Sequence, residues 1–355
     1  MKLPAATLDL LRRMPKAELH LHLDGSLRPE TALELARQRG LDEGMDLGAI
    51  RARLTAPPRC RDQAELLRAF ALPVALMQDA EALERITFEL VEDVAGDGTR
   101  YAEIRWAPTL HLERRLSLRD GIAAVVAGAT RGAAKTGVVV RLIAVALRSH
   151  PPGWNRAMAE ESLRFLGDGL TGFDCAGPEA AFPDPLLHAA AFAVAQAGGL
   201  GITCHAGEWG GAAQVRRALA VEPSRIAHGT PAADDPALQA DLRARGVTLD
   251  LCPTSNVQAG IVPDLASHPL AMLHRRGVPV SLSTDDRTVA DLTLPREYAR
   301  AHAILGLTLS ELWSINRHAL QAAFLHHDEP LRADLLAEFD TFADSEPTLR
   351  TPGVA

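Results

Sequence analysis

The stretch Glu18-Leu19-His20-Leu21-His22-Leu23-Asp24-Gly25 alternates polar and apolar side chains near the start of the chain. Alternate residues of a β-strand point to the same side, so His20 and His22 project together and the intervening leucines lie on the opposite face. If this strand lines a barrel, both imidazoles point into the interior. Histidine is the commonest metal ligand in proteins, so the stretch indicates a strand that positions chemistry inside a barrel.

Seven further apolar runs of strand length follow, and amphipathic patterns with apolar residues three and four positions apart lie between most of them. Strands that alternate with helices form parallel sheets with right-handed crossovers. Eight such units in 355 residues predict an α/β fold, a (β/α)8 or TIM barrel. The strand candidates are Ala17–Leu23, Tyr101–Trp106, Val138–Ala146, Thr171–Asp174, Gly201–His205, Arg225–His228, Val247–Leu251 and Val278–Ser283. The helix candidates between them include Pro29–Arg39, Leu83–Ala95, Leu118–Lys135, Pro185–Ala197, Ala212–Leu219 and Pro236–Arg245.

One long segment between the first two strands interrupts the regular alternation. It contains Pro57-Pro58 and several helical patterns, which predict a helical insertion over about residues 40–98 that forms a lid at the barrel mouth. No linker rich in Gly, Ser or Pro divides the chain, so we expect a single domain over residues 1–355. An open doubly wound sheet is the competing fold, but it usually has fewer strands and a glycine-rich fingerprint after the first one.

Composition and charge exclude several classes of function. The chain has 37 Lys and Arg against 45 Asp and Glu, a net charge of −8, which argues against nucleic acid and against an anionic membrane surface as partner. The four cysteines show no CxxC spacing, which is typical of reduced thiols in a cytosolic protein. No apolar signal-peptide core or membrane-spanning stretch occurs. We therefore expect a cytoplasmic protein, and no protein partner is evident.

Ionisable residues follow several of the apolar runs directly, at the carboxyl ends of the predicted strands. They are His205 and Glu208 after the fifth strand, His228 in the sixth, and Asp285 and Asp286 after the eighth. In a TIM barrel the carboxyl ends of all strands meet at one face, where catalytic residues gather. The alternative for each residue is an ordinary position in a surface loop.

Two of these residues, together with the two histidines of the first strand, form a donor set suited to one zinc ion. His20, His22, His205 and Asp285 supply three imidazole nitrogens and one carboxylate, with room left for a water molecule. Alternatively, the two histidines of the first strand form a chance pair, one of them bonded to a backbone carbonyl. Short motifs of this kind have a high false-positive rate when they are taken alone.

The chain resembles the adenosine deaminase family, within the metal-dependent amidohydrolase-type barrel superfamily. Six motifs carry the resemblance, in order and in register from Pro15 to about Phe324: PKAELHLHLDGS from Pro15, FDCAGPE from Phe173, HAGE from His205, RIAHG from Arg225, CPTSN from Cys252 and SLSTDD from Ser281. The resemblance implies hydrolytic deamination of a 6-aminopurine nucleoside, most readily adenosine or deoxyadenosine to inosine or deoxyinosine with release of ammonia.

The resemblance also implies a role for individual residues. The zinc ligands would be His20, His22, His205 and Asp285, and the substrate-binding residues would be His22, Asp24, Gly177 and Asp286. Glu208 would protonate N1 of the purine, and His228 would orient and deprotonate the zinc-bound water. Asp286 would accept from the attacking hydroxide and bind N7, the N–H of Gly177 would reach N3, and Asp24 would accept from a ribose hydroxyl.

The chemistry of deamination requires such a set for its own reasons. Displacing ammonia from C6 needs hydroxide at neutral pH, which zinc supplies by lowering the pKa of water to about 7. It also needs a proton on N1, and a carboxylic acid beside an apolar purine slot can have its pKa raised for this purpose. The alternative for Glu208 is an acidic residue in the first turn of a helix, where the helix dipole favours it.

Position 24 bears on the substrate. Within the family, an aspartate here accompanies nucleosides, a glutamate accompanies free adenine and an asparagine accompanies nucleoside monophosphates. A carboxylate accepts a hydrogen bond from a hydroxyl but repels a phosphate dianion, so Asp24 disfavours AMP.

Arg287, which follows Asp286, stands where the family typically has proline, and two interpretations of it remain open. It could be a solvated side chain or form a structural ion pair with Asp291, or it could bind a carboxylate on a nucleoside with an extended 5′ substituent such as aminodeoxyfutalosine.

Two further functions remain as alternatives. One is another metal-dependent amidohydrolase, but such enzymes often carry a carboxylated lysine on the fourth strand, which here has none. The other is a catalytically silent nucleoside-binding protein, which should have lost ligands or the acid. Most of the remaining histidines are expected at surface or helix positions: they are His111, His150, His188, His268, His274, His302, His318, His326 and His327.

Overall fold

The computed structural model describes residues 3–350, and its strands form one parallel sheet in chain order. The strands are β1 (Lys16–His22), β2 (Thr99–Trp106), β3 (Val139–Leu147), β4 (Leu170–Ala176), β5 (Gly201–Ala206), β6 (Arg225–His228), β7 (Thr248–Leu251) and β8 (Val280–Leu282). The residues after β8 return to β1: the Asp285 N–H donates to the His20 carbonyl at 3.0 Å, and the His22 N–H donates to the Asp285 carbonyl at 2.7 Å. The sheet is thereby nearly closed into a barrel.

Helices surround the sheet and confirm the predicted (β/α)8 class. Within residues 3–350 they are α1 (Ala5–Arg13), α2 (Pro29–Arg39), α3 (Leu47–Leu54), α4 (Gln63–Leu67), α5 (Ala71–Leu76), α6 (Ala80–Gly96), α7 (Leu118–Thr136), α8 (Pro152–Ser162), α9 (Ala189–Ala197), α10 (Ala212–Ala218), α11 (Pro236–Arg245), α12 (Pro253–Gln258), α13 (Leu270–Arg275), α14 (Leu294–Ala303), α15 (Leu309–Ala322) and α16 (Glu329–Ser345). Most predicted boundaries differ from these by a few residues or fewer. The predicted helix Pro185–Ala197 is in fact a 3-10 turn over Pro185–His188 followed by α9. The Asp184 carboxylate accepts from the Leu186 N–H and so fixes that tighter first turn.

The core is aliphatic, as a chain with 4% aromatic residues requires. Strands that lie between the barrel interior and a layer of helices are buried on both faces, which explains their nearly continuous apolar runs. Among the described residues, no helix is both long and apolar enough to cross a membrane.

The segment between β1 and β2 has two parts. Its last helix, α6, packs against β2 and α7 as the crossover helix between the first two strands. The two helices approach closely because α7 carries small residues: a Cβ at Gly128 would lie 2.3 Å from the carbonyl oxygen of Glu84. The shorter helices α3 to α5 precede this crossover.

The part of this segment that carries α3 to α5, which we call the insertion, packs against loops at the carboxyl ends of the strands. Ala56, Cys60, Leu66 and Ala69 form a small buried apolar cluster with Ala259 and Val289, and Phe70, Trp209 and Ile261 pack against it. Trp209 directly follows Glu208 in the chain. The insertion is thus joined to the loop that carries the predicted proton donor.

Candidate metal centre and substrate cavity

Two strands bring the first ligand candidates together. His20 and His22 project from β1, and Asp285 follows β8, which lies beside it. Asp285 Oδ1 lies 2.9 Å from His20 Nε2 and 3.3 Å from His22 Nε2. His22 Nε2 lies 3.2 Å from the Nε2 atoms of both His20 and His205. Tetrahedral ligands about 2.0–2.1 Å from zinc lie about 3.3 Å from one another, so the spacing suits such an ion.

The protonation states also suit a cation. Burial lowers the pKa of His22 to about 3 and the pKa of His20 well below its ordinary value, so both imidazoles are neutral. Burial opposes ionisation of Asp285, but its histidine neighbours outweigh burial and hold its pKa well below the usual range. Neutral nitrogens directed at one another beside a carboxylate lack enough protons to bond together, and a divalent cation among them satisfies every donor atom.

A second grouping of donor atoms includes His228. One ligand atom from each of His20, His205, His228 and Asp285 lies within 4.8 Å of the others. His228 Nε2 is 3.9 Å from Asp285 Oδ2, farther than the 3.3 Å between His22 Nε2 and Asp285 Oδ1. The shorter spacing favours His22 as the third imidazole.

Further polar residues hold the ligand candidates in place. His205 Nδ1 lies 2.8 Å from Asp174 Oδ2, which also accepts from Arg105 at 2.8 Å. His205 and Arg105 together lower the pKa of Asp174 although burial raises it. The Ser255 hydroxyl donates to Asp285 Oδ2 at 2.6 Å. Such partners fix the orientation of metal ligands, and the Asp174 bond leaves His205 Nε2 free to coordinate.

Backbone geometry at the strand ends is unusual. His228 and Asp285 adopt left-handed conformations with φ of 67° and 68°. Non-glycine residues rarely do so, and such strain concentrates at functional sites. A Cβ at Gly25 would lie 1.7 Å from Asp286 Oδ1, so only glycine at this position leaves room for the carboxylate.

Glu208 lies on a loop after β5 that one buried carboxylate holds on both sides. Glu179 Oε1 accepts from the Gly207 N–H at 2.8 Å, and Glu179 Oε2 accepts from the Trp209 N–H at 2.7 Å. Burial, with the charge of Asp285, raises the pKa of Glu208 to about 8. Its carboxyl group is therefore mostly protonated at neutral pH and can donate a proton to a bound base.

Two more carboxylates face the same cavity. Burial raises the pKa of Asp24 to about 6 and, with the charge of Asp285, raises the pKa of Asp286 well above its ordinary value. The Oδ1 atom of Asp24 and that of Asp286 are buried and have no hydrogen-bond partner among residues 3–350. Buried polar atoms are normally paired, so these two are placed to bind a ligand.

The cavity joins most of the predicted site residues. His22, Asp24, Gly177, His205, Glu208, His228, Asp285 and Asp286 all line it, and His20 lies beneath, fully buried. The insertion supplies a wall that the sequence did not reveal: Gln63, Leu66, Leu67, Phe70 and Val74, opposite Ala107, Leu110, Val145, Leu147 and Ala176. Asp174, Glu179, Ser255 and Asn256 were also missed as functional, although all four lie in recognised motifs.

One expectation was wrong, and another has exceptions. Arg287 pairs with Asp97 at 2.6 Å, not with Asp291, and it is mostly buried outside the substrate cavity. Asp97 holds its guanidinium, which does not line the cavity, and this arrangement disfavours binding of a ligand's carboxylate by Arg287. Most of the remaining histidines are not buried, as expected, but His111, His188 and His268 are exceptions, and His268 belongs to a hydrogen-bond network behind His228.

The barrel and its convergent imidazole and carboxylate groups define a hydrolase of the amidohydrolase type. The family model described as adenosine deaminase matches residues 15–341. An adenosine deaminase of Mycobacterium ulcerans is 37% identical over 344 residues, which cover 92% of this chain and 94% of that protein.

Solved structures agree with this assignment. A zinc-bound amidohydrolase from Burkholderia ambifaria has a TM-score of 0.86 and 26% identity, covering 97% of this chain and 96% of that one. The N6-methyl-AMP deaminase of Arabidopsis thaliana has a TM-score of 0.84 and 27% identity, covering 96% of this chain and all (100%) of that one. The chain belongs to the adenosine deaminase family, and it is a hydrolytic deaminase of purines.

Proposed function

We propose that the chain deaminates adenosine and deoxyadenosine, with one zinc ion held by His20, His22, His205 and Asp285. The observation that carries the proposal is that His22, His205 and Asp285 line one cavity together with the mostly buried carboxyl group of Glu208, with His20 directly beneath. When bound, zinc lowers the pKa of water to about 7 and so supplies hydroxide at neutral pH.

The protein residues would then act on the purine as follows. Glu208 donates its proton to N1, which lets C6 accept the oxygen of the attacking water while the ring loses aromaticity. Asp286 accepts a hydrogen bond from the attacking water and binds N7, and His228 orients the same water. The N–H of Gly177 binds N3. Collapse of the C6 adduct breaks the C6–N bond: its hydroxyl proton passes to the amino group, which leaves as ammonia, and the proton lost by the attacking water restores the acid form of Glu208.

The cavity favours a nucleoside over a nucleotide. Asp24 lies in it with an unpartnered oxygen, ready to accept from a ribose hydroxyl. Of the cavity-lining residues in the described part of the chain, none is Lys or Arg, so nothing there offsets the charge of a phosphate. The Arabidopsis enzyme is named as a deaminase of N6-methyl-AMP, a nucleotide, whereas we propose a nucleoside as the substrate of this chain.

A panel of purines tests the proposal directly. Ultraviolet absorbance follows deamination of adenosine, deoxyadenosine, adenine, AMP, N6-methyladenosine and aminodeoxyfutalosine, each with and without a zinc chelator. We expect the two unmodified nucleosides to have the highest kcat/KM and to lose activity with chelator, and added zinc to restore it. Preference for AMP or adenine would reject the assignment of Asp24, and activity that survives full metal removal would reject the zinc site.

A further inference from the structure

A chain of buried polar side chains leads away from the cavity behind His228. His228 Nδ1 lies 3.0 Å from Asn256 Nδ2, and Asn256 Oδ1 lies 3.0 Å from His268 Nε2. The Thr230 hydroxyl also donates to Asn256 Oδ1, at 2.8 Å. Each of these four residues is at most 4% exposed, so the groups bond to one another rather than to solvent.

At His268, the end farthest from the cavity, the direction of the hydrogen bonds from donor to acceptor is fixed. The backbone N–H of Leu270, at the start of α13, points to His268 Nδ1 at 3.2 Å. A backbone N–H can only donate, so Nδ1 of His268 carries a lone pair. A neutral imidazole then has its hydrogen on Nε2, which donates to Asn256 Oδ1.

The hydrogen on His268 Nε2 fixes the orientation of the Asn256 amide, and this orientation fixes the hydrogen bond to His228. If the amide were turned over, its NH2 group would face the Nε2–H of His268, and two donors would meet in a buried space. The amide oxygen therefore faces His268 and Thr230, and the NH2 group donates to His228 Nδ1. Tautomers and amide orientations are assigned from such networks, and here one backbone donor settles all of them.

His228 is left with one arrangement. Its Nδ1 accepts, so the neutral ring carries its hydrogen on Nε2, and an imidazolium would direct a second donor at the Asn256 NH2 group. Nε2 lies 3.9 Å from both Glu208 Oε1 and Asp285 Oδ2, and carboxylate oxygens are acceptors.

We infer that Asn256 and His268 are positioning residues that hold His228 with its hydrogen on Nε2. The inference deepens the proposed function. In this tautomer His228 donates a hydrogen bond to the oxygen of the attacking water and has no lone pair with which to remove the proton. The proton of the attacking water must then go to a group other than His228. A protonated Nε2 also cannot coordinate a metal, which removes His228 from the ligand set and leaves His22 in it.

Nitrogen-15 NMR of the full chain, labelled at histidine, tests the inference without any substrate. Couplings between ring nitrogens and ring carbon-bound protons distinguish a protonated from an unprotonated nitrogen, and loss of one signal set in His228→Gln assigns His228. We expect a protonated Nε2 and an unprotonated Nδ1, in the zinc-loaded and in the chelator-treated protein. The opposite tautomer, or an imidazolium at neutral pH, overturns the inference.

The chain offers a matched reference for this measurement. His188 forms a similar pair, with Nδ1 3.0 Å from Asn155 Nδ2 and Nε2 3.2 Å from the Arg148 carbonyl oxygen. A carbonyl can only accept, so His188 must also be protonated on Nε2. His188→Phe removes a comparable buried histidine and should leave the tautomer of His228 unchanged.

We call the hydrogen-bonded series from His268 through Asn256 to His228 the relay. Substitutions in it test its effect on catalysis. In Asn256→Asp both carboxylate oxygens accept, so we expect the hydrogen of His228 to move to Nδ1 and kcat to fall about 10- to 100-fold. His268→Phe should lower kcat about tenfold, while His268→Gln, whose amide can still donate to Asn256, should retain more activity. An Asn256→Asp variant that folds but keeps both the tautomer and kcat contradicts the relay.

The two proposals can fail separately. Adenosine deamination by a chain whose His228 is protonated on Nδ1 would retain the proposed function and reject the relay. An Nε2–H signal in a chain that deaminates none of the purines would do the reverse.

Discussion

The two ends of the barrel both bury charged side chains, but only at one end does each charge lie beside an opposite charge of the protein. Near the amino ends of the strands, Arg225 forms an ion pair with Glu103, and its Nε lies 3.2 Å from Asp250 Oδ2. Glu103 also accepts from the Tyr101 hydroxyl at 2.7 Å and the Phe324 N–H at 2.6 Å. Each charge there has a protein partner within the barrel.

At the carboxyl ends the same kinds of group converge without enough partners. Asp24 Oδ1, Asp286 Oδ1 and His20 Nδ1 are buried and have no hydrogen bond to any residue in the range 3–350. Leaving a buried polar group unpaired costs about 1–3 kcal/mol, so this end is built to be completed by a ligand. Buried carboxylates therefore indicate a binding site where no cationic side chain is paired with them.

Glu208→Gln, at the carboxyl ends of the strands, has the largest expected effect on catalysis. The amide has no acidic proton for N1, and general acid catalysis typically contributes 10²- to 10⁴-fold, so we expect kcat for adenosine to fall by about that factor. Zinc content, measured by atomic absorption, should stay at the level of the parent protein. Loss of the metal together with activity would mean that Glu208 is a ligand rather than the acid.

Glu103→Gln is the same substitution of a buried glutamate near the amino ends of the strands. Removing one partner of a buried ion pair costs about 3–5 kcal/mol, so we expect the free energy of unfolding, measured in urea, to fall by about 3 kcal/mol. Values of kcat and KM for adenosine should remain those of the parent in the folded fraction. A large drop in kcat without loss of stability would show that the two ends are coupled, and the comparison would break.

Asp174→Asn tests the partner of a ligand candidate. Asp174 Oδ2 lies 2.8 Å from His205 Nδ1 and accepts from Arg105, and loss of such a partner typically lowers metal affinity 10- to 100-fold. Competition with a fluorescent chelator measures zinc affinity without substrate. Unchanged affinity in a variant with normal thermal stability would remove His205 from the ligand set.

Glu179→Gln tests the carboxylate that holds the Glu208 loop. The variant keeps one acceptor oxygen but directs an amide N–H at a backbone donor, and a bond to a charged group contributes about 1.5–3 kcal/mol. We expect kcat to fall about tenfold with little change in zinc content. In a Glu208→Gln background the same change should cost little more, and additive losses would show that Glu179 acts independently of Glu208.

The sequence was sufficient for the barrel because strand and helix periodicities repeat eight times and local pattern determines them. It also identified the residues at strand ends, since His20, His22 and Asp285 follow from strand alternation and register. It did not reveal the apolar wall of Leu66 and Phe70, because the path of an irregular insertion depends on tertiary packing that periodicity does not encode.

Partners of site residues were missed for a similar reason. Asn256 and His268 are separated by twelve positions and meet only because α12 and the segment before α13 fold behind β6. Nothing in their spacing indicates a contact, although CPTSN was recognised as a motif. The ion pair of Arg287 with Asp97 joins residues 190 positions apart, and the nearby Asp291 was the more obvious partner in sequence.

Arg287→Ala gives the smallest expected effect on catalysis and sharpens the distinction between paired and unpaired charge. Arg287 lies two residues after Asp285 but bonds outward to Asp97, which also accepts from the Leu294 N–H at 3.2 Å. Because the guanidinium lies outside the cavity, we expect kcat/KM for adenosine and for aminodeoxyfutalosine to change by the same factor. Thermal stability should fall as Asp97 loses its partner. A selective loss with the carboxylate-bearing nucleoside would show instead that Arg287 leaves Asp97 to bind the substrate.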